Sequence, residues 1–75
     1  MPSRSEQRAE RKARRRLEGE LAVTLEAMRQ NDAAFEMAMD AFAVEELIYR
    51  HAALLCHCRA VLQELRGGDA TCRSI

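Results

Sequence analysis

One apolar stripe constrains this chain more than any other feature. Val44, Leu47, Ile48, His51, Leu54, Leu55, Cys58, Val61, Leu62 and Leu65 recur at steps of three and four. That spacing sets them on one face of an α-helix. The stripe is too wide for a lone helix to leave in water, so it needs a partner.

The preceding segment offers that partner. Leu17, Leu21, Leu25, Met28, Phe35, Met39 and Phe42 gather on one face at helical periodicity, interrupted by Asp32. The opposite side carries Val23, Ala27, Ala34, Met37 and Ala41. No glycine or proline lies between Ala22 and Arg66, so nothing there strongly breaks a helix. The chain therefore reads as all-α.

The turn has two candidate sites. Asn31-Asp32 or Asp40 can cap a new helix. A turn at Asp40–Ala43 leaves helices over about 17–39 and 44–66. Each is then roughly 35 Å long, so each can cover the other fully. Glu45 and Glu46 then fall in the first turn of the second helix, where acids suit its dipole. These residues predict an antiparallel hairpin over 17–66. Gly67 takes the C′ position, and 67–75 form a polar, mobile tail.

The 75 residues carry no net formal charge, but the charge is uneven. Residues 1–16 hold seven Arg or Lys against Glu6 and Glu10. The remainder holds five Arg against ten acids. This reads as a basic polar arm, frayed or transiently helical, on an acidic body, with Glu10–Arg14 at i,i+4 able to support a helix there when something else holds it. Arg8, Arg11, Lys12, Arg14, Arg15 and Arg16 are the candidate contacts for a phosphate backbone or an acidic protein. The arm has no aromatic side chain on which bases could stack.

The second stripe also resembles a family. Ile48-Tyr49, Ala53-Leu54, Val61-Leu62 and Leu65-Arg66, preceded by Phe35 and Asp40, look like the YaaL-like proteins of unknown function. These are short, cytoplasmic bacterial chains with a basic N-terminal stretch. The likeness spans Phe35 to Arg66 and favours the turn at Asp40. The chain departs from the pattern in lacking a proline after Asp40 and an aromatic near Cys58–Ala60. The resemblance implies no catalytic residue.

The chemistry-bearing side chains do not assemble into a motif. Cys56 and Cys58 diverge by about 200° on a helix and cannot chelate one ion there. They read instead as a flank residue and a small core residue, with His57 facing solvent beside Arg50 and Glu64. Cys72 lies in the tail, and the serines are Ser3, Ser5 and Ser74. No nucleophile stands beside a base, and Gly67-Gly68 follows a helix instead of opening one. His51 reads as a hydrogen-bonded core histidine, with Asp32 its partner across the hairpin. A pH-sensitive packing point is the sharper alternative. No enzyme, cofactor or metal is expected.

No uncharged run approaches the roughly 18 residues of a membrane span. No secretory signal is visible, and the odd cysteine count fits a reducing cytoplasm. A two-helix unit this small needs help to be stable. The expectation is an antiparallel homodimer forming a four-helix bundle of coiled-coil type. Leu21, Met28, Phe35, Leu47, Leu54, Val61 and Leu62 would form its core. The functional expectation is a non-enzymatic protein-interaction module, offering Glu18, Glu26, Glu36 and Glu45 or the basic arm to a partner. The alternative is a nucleic-acid accessory protein that uses the arm.

Overall fold

The computed structural model describes residues 1–67. It holds two helices, α1 (Arg4–Met37) and α2 (Ala41–Leu65), packed on each other, with no strand among the described residues. Of the expected 67–75 tail, only Gly67 is described.

Helix α1 begins at Arg4, not at Leu17, so the basic arm is part of it. Ser3 supplies the reason. Its hydroxyl oxygen accepts from the Glu6 backbone N–H at 3.2 Å, and its carbonyl accepts from Gln7 N–H at 3.0 Å. Ser3-x-x-Glu6 is the capping-box spacing. Beyond it, residues 4–18 contain no breaker, and Arg14 Nε lies 3.7 Å from the Glu18 carboxylate one turn on.

Helix α1 stops at Met37. The Ala38 backbone is extended, and its N–H donates to the Phe35 carbonyl at 3.3 Å. Asp40 then starts α2. Its carboxylate accepts from Phe42 N–H at 3.3 Å and its carbonyl from Val44 N–H at 3.0 Å. The turn therefore lies at the second of the two candidate sites, with α2 starting three residues before Val44. At the far end, the Arg66 N–H bonds the Leu62 and Gln63 carbonyls, and Gly67 follows at φ 108°. That left-handed backbone is where a C′ glycine avoids a Cβ clash.

The helices run antiparallel. Arg14 Nη1 donates to the Leu65 carbonyl at 3.4 Å near one end, and Asn31 Nδ2 to the Leu47 carbonyl at 3.0 Å towards the other. The rod measures 57 × 27 × 12 Å. Its seam is formed on α1 by Leu17, Leu21, Thr24, Met28 and Asn31, at alternating steps of four and three. Leu47, Leu54, Cys58, Val61 and Leu65 face them from α2, and all ten are buried or half-buried. This is the spacing of a coiled-coil seam.

Two seam positions are polar. Thr24 is buried, and its hydroxyl donates to the Glu20 carbonyl one turn back at 2.7 Å. Asn31 is 5% exposed, and its side-chain oxygen has no partner among the described residues. Among the described residues only Cys58 and Val61 are buried hydrophobics, and no side chain is fully enclosed.

Candidate interaction surfaces

A pair of helices covers one narrow stripe on each and leaves two broad sides. On one side, Asp32 and Phe35 of α1 meet Leu47, Ile48 and His51 of α2 around a shallow depression. On the other, Ala27, Gln30 and Ala34 meet Arg50 and Leu54. Steps of seven extend the first side. Leu25 lies seven residues before Asp32, and Leu55 and Leu62 follow Ile48 at the same interval.

That first side is a flat apolar face. Leu55 and Leu62 are half-buried, while Leu25, Phe35 and Ile48 are exposed. Of the seven residues expected in a core, Val61 is buried and Leu21, Met28, Leu47, Leu54 and Leu62 are half-buried. Phe35 differs, at 44% exposed. It sits close to the end of α1, and a single neighbouring helix cannot enclose its ring. Met39 and Phe42, placed on the first stripe by their spacing, are almost fully exposed around the turn.

His51 and Asp32 lie in the middle of this face. His51 Nδ1 stands 3.9 Å from the Asp32 carboxylate, an ion-pair distance too long for a hydrogen bond. Both side chains are substantially exposed, so His51 is not a core histidine. An exposed pair of this kind contributes about 0–1 kcal/mol. On the opposite side His57, half-exposed, places Nε2 3.6 Å from Glu20 of α1, a partner across the hairpin.

The second surface is the end of α1 that outruns α2. Arg14 reaches the last carbonyl of α2. Glu10, Arg11 and Ala13 still border Glu64, Leu65 and Gly67, so residues 4–9 project beyond the pair, by about 9 Å. Arg14 is tied down by Leu65 and Glu18, and its charge suits the negative end of the α2 dipole. At helical periodicity Arg4, Arg8, Arg11 and Arg15 form a stripe facing away from the seam, with Lys12 and Arg16 beside it.

The acids expected to present a face are divided. Glu18 pairs with Arg14, and Glu26 pairs with Arg29. Glu36 and Glu45 stand near the turn, exposed. Cys56 is exposed and Cys58 buried, on opposite sides of α2. Among the described residues no three His, Cys, Asp or Glu side chains converge on a common point.

Asn31 is the residue that sequence reasoning missed, weighed there only as a helix cap. The signal was present in its spacing, three residues after Met28 and four before Phe35. No protein-family model, curated protein or solved structure matches the chain. Among the described residues no helix is long and apolar enough to cross a membrane.

Proposed function

We propose that this protein is a non-enzymatic helical interaction module that works as a homodimer, two hairpins joining their flat faces into a four-helix bundle. One observation carries the reading. The apolar side chains of Leu25, Phe35 and Ile48 remain in water while the hairpin buries only Cys58 and Val61 among its described apolar residues. A chain of this size needs further burial to be stable. The cytoplasm, and kinship with the YaaL-like bacterial chains, belong to the same proposal. Neither assigns it a process.

Ile48 is a cleaner probe than the seam residue Leu54, because it is 53% exposed in the single hairpin. Ile48→Asp leaves the hairpin contacts largely intact and places a charge in the dimer face. Sedimentation equilibrium should find a dimer for the native chain and a shift towards monomer for Ile48→Asp. A folded native monomer at micromolar concentration would refute the reading.

The projecting basic helix supports a second reading, a nucleic-acid accessory role. Arg4, Arg8, Arg11 and Arg15 stand on one stripe of α1, all exposed among the described residues. Phosphate contacts of this kind lose affinity steeply with salt. Titration with duplex DNA and with RNA at two salt concentrations tests it. No binding at the lower salt removes this reading.

A further inference from the structure

Net charge is sorted by position along the rod. At 100° per residue, Arg4 and Arg11 fall on the same side of α1 as Leu25 and Arg15 on the outer edge of that side, all three at the arm end; Glu18, paired with Arg14, and Arg29, paired with Glu26, share it. Glu36 falls on that side at the turn end, and Glu45 of α2 flanks it. The wider regions repeat the pattern. Residues 4–16 carry seven cations and two carboxylates, whereas residues 30–49 carry five carboxylates and no Lys or Arg. The rod is therefore basic at one end and acidic at the other, with the exposed apolar side chains and the His51–Asp32 pair between.

A twofold axis lying in the plane of contact and perpendicular to the rod brings each basic end onto the acidic end of the other copy while the apolar centres meet. A parallel pairing sets like charges together at both ends, which costs free energy. Isologous pairing requires a self-complementary patch, and this gradient supplies one. We infer that two copies associate head against tail across the flat face, the basic end of each α1 resting beside the partner's turn, so that the arm's first ligand is the acidic turn of a second copy of this chain. The inference rests on the homodimer proposed above and gives it an orientation. It also gives the arm a ligand that competes with any polyanion.

Charge exchange tests it on the full chain. One variant carries R4E, R11E and R15E, and a second carries Glu36→Lys and Glu45→Lys. At low salt each alone should dimerise about tenfold more weakly than the native chain. An equimolar mixture should recover the native affinity, because each reversed end meets an opposite one. Far-UV circular dichroism confirms that each variant is helical. If the triple variant fails to fold, R4Q, R11Q and R15Q replace it and should still weaken the dimer.

Orientation is read separately with native charges, from a nitroxide at Met39→Cys with Cys56 and Cys72 changed to Ser. The two labels should lie more than about 30 Å apart, since each turn is some eleven residues or more from the axis. Labels within about 20 Å, at a spacing that places the turns side by side, would overturn the arrangement and leave the homodimer standing. So would unweakened variants, or a mixture that stays weak. A native chain that remains monomeric would overturn both and give the face to a different protein.

Discussion

The carboxamide of Asn31 reaches across the hairpin to the Leu47 carbonyl, 3.0 Å away, from a position enclosed in the seam. Its other polar atom, the side-chain oxygen, is buried without a partner among the described residues. One end of this amide thus ties α1 to a single place on α2. The other costs about 1–3 kcal/mol for lack of a bond. An amide at such a seam position sets register at some expense in stability.

Asn31→Leu should therefore raise the melting temperature while loosening the register. Thermal unfolding followed by circular dichroism measures the first. Amide hydrogen exchange around Leu47 measures the second, as faster exchange relative to global stability. A variant that melts lower would show that the single bond outweighs the unpaired oxygen.

Gly19 sits inside α1 with open space around the position of a Cβ, nothing lying within 4 Å. Its backbone is helical. Gly19→Ala should stabilise the protein by about 0.5–1 kcal/mol through lower backbone entropy in the unfolded chain. Urea unfolding should show a higher midpoint at unchanged slope.

Asp40 opens α2 with a carboxylate that accepts from Phe42 N–H. Asp40→Ala should cost about 0.5–2 kcal/mol, and Asp40→Asn much less, because the amide oxygen also accepts. Comparing the two by denaturant unfolding separates the cap from the charge.

The cysteines of α2 differ in access. In a Cys72→Ser background, a thiol reagent should modify exposed Cys56 at once. Buried Cys58 should react only as fast as the hairpin opens, and both should react together in denaturant. Mass spectrometry of quenched samples distinguishes one adduct from two.

Much of the fold could be read from residue spacing, and the exceptions share a cause. The α2 stripe and the Asp40 turn were legible because apolar periodicity and a capping side chain are local signals. The start of α1 was not, since seven cations read as a solvated arm and hid the Ser3–Glu6 cap. Asn31 escaped notice because a buried amide is polar by type and a seam residue only by position. Ile48, Leu55 and Leu62 merged with the seam in a single broad stripe, although they belong to its outer edge. Which edge stays wet depends on the angle at which α1 approaches, and that is set by packing along the full length of both helices.

Only Ala38, Met39 and Asp40 separate the two helices, and none of them is a strong helix breaker. The bend is thus maintained by a cap and a seam, with no rigid residue to enforce it. An unbroken helix through these three positions would carry α2 out of reach of its own α1. The same seam could then be satisfied only by trading α2 between molecules. Domain swapping is the natural failure mode of this hinge, and it would lengthen the molecule without altering which side chains meet.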